Sequence, residues 1–242
     1  MERKYKAVFF DLGGTLRIAY HEKEWERQGR ENMAKVAGVD MPYEEFYKLI
    51  DERYKAYRDW ALRENKESND WELWHKWLMF DYDEELVRSI CHRMSYEYRQ
   101  STGHRYVVDG GVEVIKGLYE RGYKLGIISN LIGETEVPDW LEADGLKKYF
   151  SSVILSSVVG LRKPGAEIYR VACRDIGVAP EYCVSGADNV GRDIEGANEA
   201  GIGMNIVFDS PEKKHPIDVT NPEALNIGAI VKDFRDILKY LP

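Results

Sequence analysis

Three acids, one lysine and a serine–asparagine pair are the residues of this chain whose types and spacing can do chemistry. Asp11 closes the apolar run Ala7-Val8-Phe9-Phe10 and opens the turn Leu12-Gly13-Gly14-Thr15. Ser129-Asn130 closes Leu125-Gly126-Ile127-Ile128, Lys163 follows Val153-Ile154-Leu155, and Asp188 and Asp193 follow Tyr182-Cys183-Val184. Each has a bland reading alone: an Asp before glycine forms turns, Ser-Asn caps helices, and a lysine at a helix start is solvated. Together they stand at the ends of successive apolar runs, and open parallel sheets bind ligands outside the carboxyl ends of their strands. Three carboxylates gathered in one cleft repel one another without a cation, and oxygen ligands with room for water suit Mg²⁺. Such a metal can bridge a carboxylate and a phosphate oxygen and hold them for in-line attack. Lys163 and the Ser129 hydroxyl would then stabilise charge on the transferring phosphoryl group. A carboxylate nucleophile, through an aspartyl-phosphate, is one route for that chemistry.

The elements that must position these residues follow from hydrophobic periodicity. From Val107 onward, short β-prone runs alternate with helical stripes: Val112, Ile115 and Leu118-Tyr119 before Gly122, then Ile168, Val171, Ala172 and Ile176 before Gly177. Ile194 to Ala200 forms a further helix before Gly201, and Ile206-Val207-Phe208 a fifth strand. That alternation predicts βαβ units, a parallel sheet and the α/β class. The stretch from about Leu16 to Arg105 is different. It is rich in charged residues, Trp and Tyr, and nearly free of strand-like alternation. Phe46, Leu49 and Ile50, and likewise Trp71, Trp74 and Leu78, recur at helical spacing. It predicts an all-helical insert after the first strand, with one helix starting after Pro42. Five of the six tryptophans lie there, and packing between helices accounts for them better than an aromatic ligand pocket.

Composition sets the bounds. The chain has 242 residues, with 34 Lys+Arg against 42 Asp+Glu and a net charge of −8. No basic surplus exists to neutralise nucleic acid or an anionic membrane, so the expected partner is a small molecule. No apolar run approaches the ~18–20 residues that span a bilayer, and the polar start MERKYK is unlike a signal peptide. A cytoplasmic monomer or homodimer is the expectation. Cys91, Cys173 and Cys183 are widely spaced and odd in number, which predicts buried thiols rather than a disulfide framework or zinc site.

Four ordered motifs resemble those of the haloacid dehalogenase-like (HAD) hydrolase superfamily: FFDLGGTL (Phe9–Leu16), GIISN (Gly126–Asn130), LRKPGAEIY (Leu161–Tyr169) and ADNVGRDIEGANEAG (Ala187–Gly201). The resemblance implies a Rossmann-like parallel-sheet core of residues 1–16 and 106–242 with a helical cap at 17–105. The short interval from Ser129 to Lys163 leaves no space for a second cap. By position, Asp11 would be nucleophile and Mg²⁺ ligand, with the Gly13 carbonyl, Asp188 and Asp193 completing the metal site. Ser129 and Lys163 would serve the reaction, and Gly14, Thr15 and Asn130 would contact substrate.

Two residues depart from the pattern. Ala187 replaces a glycine. Gly13 stands where family phosphatases carry a second Asp, the general acid/base, whose absence costs ~10²–10⁴ in rate. The expected activity is therefore hydrolysis of a small phosphorylated metabolite with a good leaving group: an aryl, acyl or anomeric sugar phosphate. His21 or Glu22 is an alternative proton source, less favoured than an exposed role for both. A phosphate-binding or regulatory protein that kept the fold is the main alternative, followed by a dehalogenase. DLGGT also looks like the phosphate turn of sugar kinases, which needs a second strand after it; Tyr20 to Glu24 reads as helical instead.

Overall fold

All four residues of β1 (Ala7–Phe10) are buried, as expected of a central strand covered on both faces. The computed structural model describes residues 4–210 and 222–242. After β1 come β2 (Arg17–Tyr20), α1 (Lys23–Ala37), α2 (Tyr43–Glu64), α3 (Asp70–Glu72, continued as a wider turn over Leu73–Leu78), α4 (Glu84–Gln100) and β3 (His104–Val107). The chain continues through α5 (Gly111–Glu120), β4 (Lys124–Ser129), α6 (Glu136–Ala143), β5 (Phe150–Leu155), α7 (Ser156–Val159), α8 (Ala166–Ile176) and β6 (Cys183–Ala187). A wide turn over Val190–Ile194 leads into α9 (Glu195–Glu199), followed by β7 (Met204–Phe208), β8 (Ile227–Val231) and α10 (Ile237–Tyr240).

Six parallel strands form one sheet in the order β5-β4-β1-β6-β7-β8. The order reverses at β1, where an open α/β sheet leaves a crevice at its carboxyl edge. Side chains alternate across the sheet. Val8, Phe10, Leu125, Ile127 and Val184 pack on one face beneath α5, α6 and α10, while Ala7, Phe9, Ile128 and Ile154 pack on the other with α8 and α9. Gly126 is glycine for a spatial reason: a Cβ there would lie 2.5 Å from the Phe9 ring. Among the described residues no helix is long and apolar enough to cross a membrane.

The helical insert has its own core, built on Met33, Phe46, Ile50, Trp74, Leu78 and Met94. Helix α2 begins directly after Pro42, and Gly177 ends α8 in the left-handed conformation, both as the sequence predicts. Trp74 is fully buried and the Trp60 and Trp77 rings pack tilted with centroids 5.2 Å apart, in line with the packing reading. All three cysteines are buried and free.

Three expectations need correction. The sheet has six strands rather than five, β8 being the addition. The stretch read as purely helical contains β2 and begins β3, which pair antiparallel from Arg17↔Val107 to Tyr20↔His104. A strand does follow the glycine turn, but it pairs with β3 and not with β1, so no phosphate-binding hairpin forms. The insert also touches the sheet side away from this ribbon. Lys66 bridges Leu161, the Glu67 N–H donates to Gly160 O (3.3 Å), and the Arg162 N–H donates to Asn65 O (3.1 Å). The Glu67 carboxylate is buried there, paired with the Arg162 guanidinium and accepting from Tyr57 and from Ser156 Oγ.

Candidate active site

Strand register brings the motif residues together. Phe10 is level with Ile127 on β4 and with Gly186 on β6, so Asp11 emerges beside the ends of both neighbours. The Asp11 N–H donates to Gly186 O (3.0 Å), extending β1 one residue past its formal end. Ser129 is the last residue of β4 and Asp188 the first after β6. Asp193 lies one wide turn later, on Val190–Ile194. Glycine 196 in α9 lets the Pro164 carbonyl come close, because a Cβ there would sit 2.2 Å from that oxygen. That contact docks α9 against the residue following Lys163.

Lys163 is almost completely buried, its ammonium 2.6 Å from Asp11 Oδ1 and 2.9 Å from the Ile128 carbonyl, and paired also with Asp193. Asn130 holds the lysine backbone at both ends of the amide: its Nδ2 donates to Lys163 O (2.8 Å) and its Oδ1 accepts from Lys163 N (2.9 Å). In this arrangement Asn130 positions Lys163. Ser129 is buried alongside. Thr15 is fully buried, and its hydroxyl has no hydrogen-bond partner among the described residues.

Carboxylate oxygens of Asp11, Asp188 and Asp193 lie within 4.8 Å of one another. Gly14 adopts φ +83°, and a Cβ on it would meet Asp188 Oδ2 at 2.6 Å, so only glycine lets the motif-one turn press against that carboxylate. Gly13 is the opposite case: a Cβ there meets nothing within 4 Å and its φ is not in the left-handed region. A Cβ has room there, yet the sequence carries no carboxyl at this position.

The sequence reading missed Arg192. Its guanidinium Nη2 lies 3.0 Å from Asp11 Oδ2, 3.2 Å from Asp188 Oδ1 and 2.8 Å from Asp193 Oδ2. The signal was available, since Arg192 falls between the two acids of the fourth motif, four residues after Asp188. Three carboxylates against Lys163 and Arg192 leave one negative charge in excess. Burial raises the Asp11 pKa, Lys163 and Arg192 oppose the rise, and Asp193 adds to it. Burial disfavours charge on Arg192 as well, but the surrounding carboxylates reverse this and hold its proton more tightly than usual. An all-oxygen set of hard donors, already gathered around a cationic group, fits a divalent metal such as Mg²⁺. His21 and Glu22 are exposed and engaged elsewhere: His21 Nδ1 lies 2.8 Å from Glu26, and Glu22 accepts from Tyr106 (3.0 Å).

Comparison with known proteins agrees with this geometry. A model of the haloacid dehalogenase-like hydrolases matches residues 5–201. The glyceraldehyde 3-phosphate phosphatase of Methanopyrus kandleri is 28% identical over 207 residues, covering 81% of each chain. Its counterpart from Pyrococcus furiosus is 28% identical over 233 residues, covering 91% of this chain and 87% of its own. In three dimensions the chain is similar to a HAD phosphatase from Thermococcus onnurineus (TM-score 0.60, 24% identity, covering 98% of this chain and 97% of that one). It is also similar to a 2-haloacid dehalogenase from Pseudomonas syringae pv. Tomato (TM-score 0.69, 17% identity, 98% of each chain). The structural likenesses speak to the fold.

Proposed function

We propose that this chain, which belongs to the haloacid dehalogenase-like hydrolase family, is a Mg²⁺-dependent phosphatase of a small phosphorylated metabolite. One observation carries the reading: a buried carboxylate, Asp11, faces a buried lysine at the sheet's switch point, with two further acids within ligand distance. The names of the relatives support the same reaction class. Bound through Asp11, the Gly13 carbonyl, Asp188 and Asp193, Mg²⁺ would supply Lewis-acid charge to the phosphoryl oxygens.

The chain's own residues do the rest. Asp11 attacks phosphorus in line, forming the carboxylate–phosphorus bond as the bond to the leaving oxygen breaks and its electron pair departs with that oxygen. Lys163 holds Asp11 in its ionised, nucleophilic form and offsets charge on the phosphoryl oxygens. Ser129 closes the phosphoryl pocket from the β4 side. Water then attacks the aspartyl-phosphate, releasing phosphate and restoring Asp11. No carboxyl stands at position 13 to protonate the leaving group, so substrates whose leaving group is stable as an anion are favoured. The helical segment, residues 17–105, serves as a cap that excludes water and selects the substrate.

The test is hydrolysis of p-nitrophenyl phosphate with and without Mg²⁺, using Asp11→Asn as control. Metal-dependent turnover lost in the variant supports the proposal. Absence of turnover favours the second reading, a phosphate-ligand binding or regulatory protein, for which the vacant acid/base position at Gly13 is the motivating observation.

A further inference from the structure

Between the helical insert and the loops carrying motifs two and three lies a cavity of about 170 Å³. Tyr54, Tyr98 and Arg99 face it from the insert, and Asn130, Leu131 and Arg162 from the sheet side. Asn130 and Arg162 are the chain neighbours of Ser129 and Lys163, and Asn130 is bonded to the Lys163 backbone, so the cavity adjoins the phosphoryl site. Its volume is that of roughly six liquid water molecules at ~30 Å³ each. That accommodates a chain of about three carbons with its oxygens.

Two guanidiniums, Arg99 and Arg162, line the cavity. Arg162 Nε is buried with no hydrogen-bond partner among the described residues, although its Nη1 pairs with Glu67. Arg99 donates through Nε to Glu136, which also pairs with Arg17. Arg99 therefore shares its carboxylate with Arg17, outside the cavity. A buried guanidinium N–H without an acceptor is costly, and the group's planar fork matches a carboxylate.

We infer that the substrate is a short phosphorylated metabolite ending in a carboxylate, and that Arg99 and Arg162 select it by binding that carboxylate. This rests on the phosphatase reading for the role of the site, but recognition can be measured apart from turnover. Asp11→Asn is titrated calorimetrically, with Mg²⁺, against 3-phosphoglycerate and glycerol 3-phosphate, which differ at the far end in carboxylate against alcohol. The carboxylate is expected to bind at least about tenfold tighter, as a charge-assisted hydrogen bond predicts. Adding Arg99→Gln should bring the two ligands within about twofold, and Arg99→Lys should restore part of the difference. Equal affinities in Asp11→Asn, or a preference that survives Arg99→Gln, overturn the inference. The unsubstituted chain gives a reading free of variants: kcat/KM must favour 3-phosphoglycerate at least about tenfold, chiefly through KM. If it cleaves p-nitrophenyl phosphate yet shows neither preference, the specificity inference fails alone; if it cleaves no phosphomonoester, the phosphatase reading fails and the titration still decides recognition.

Discussion

Two carboxylate clusters of this molecule look alike and are built differently. Asp11, Asp188 and Asp193 form one; Asp70 and Glu134 with His92 form the other, and in both the candidate ligand atoms lie within 4.8 Å of each other. The first is held by side-chain cations, Lys163 and Arg192. The second is held largely by fixed donors. Asp70 Oδ1 accepts from Ser95 Oγ (2.6 Å), Oδ2 accepts from the Glu134 N–H (3.2 Å) and lies 2.8 Å from His92 Nδ1, and Glu134 Oε1 accepts from the Asp70 N–H (2.8 Å). Backbone and hydroxyl donors cannot swing away without breaking the junction between α3 and the β4–α6 loop. Cationic side chains can be exchanged for an ion. On the proposed function, that difference separates the reactive site from a structural clasp where proximity of acids does not.

The strongest way to break the comparison is to neutralise one acid in each cluster. Asp11→Asn should lower aryl-phosphate turnover by at least about 10⁴-fold while the fold is retained. Asp70→Asn should leave turnover within a few-fold but destabilise by about 1–3 kcal/mol, a fall in Tm of roughly 2–10 °C by calorimetry. A reversed pattern would mean the clusters have been assigned the wrong way round.

Next in size is Gly13→Asp, which fills open space beside the first cluster. Its turnover of glycerol 3-phosphate should rise by about 10²-fold or more; no rise means the missing carboxyl is not what limits alkyl substrates. Arg192→Ala should then tighten Mg²⁺ binding by roughly tenfold, measured by titration calorimetry, because one competing set of charge-assisted bonds is gone. Ser95→Ala, its counterpart in the second cluster, should leave that affinity unchanged.

The smallest effects are in pH dependence, read at Glu67 and Glu136. Burial raises the Glu67 pKa, with Arg162 opposing it; burial acts on Glu136 too, but Arg99, Arg105 and Arg17 overcome it and hold the pKa down. A raised carboxyl binds its proton better in the folded state, so the stability due to Glu67 is full below the ordinary value of 4.5 and is lost as pH rises above it. Glu136 behaves oppositely, and its contribution is lost as pH falls below 4.5. Glu67→Gln should therefore flatten the stability profile on the neutral side and Glu136→Gln on the acid side, as urea midpoints against pH would show.

Much of the first cluster was legible in the sequence because strand-end chemistry is local. Asp11 and Ser129 each follow directly on a run of apolar residues, and Asp188 lies four residues after the run that ends at Val184. Lys163 and Asp193 follow within a turn or two. The second cluster was not legible, since Asp70 and Glu134 are 64 residues apart and meet only through tertiary packing. Arg162 with Glu67 and Glu136 with Arg99 share that difficulty. The ribbon of β2 and β3 escaped because RIAY and HRYV are four-residue strands whose pattern carries too little alternation to outweigh the helical stretch between them.

That ribbon has a mechanical consequence. The chain leaves for the helical insert along β2 and returns along β3, so both crossings are zipped together into a single axle. The opposite edge is fastened at Lys66–Leu161 and Glu67–Arg162, like a door with one hinge line and one catch. Arg162 belongs to the catch and also lines the cavity. Arg99 lines the same cavity from the insert, so unlatching the door would draw that guanidinium away from whatever Arg162 and the sheet side hold, and opening and letting go would become one event.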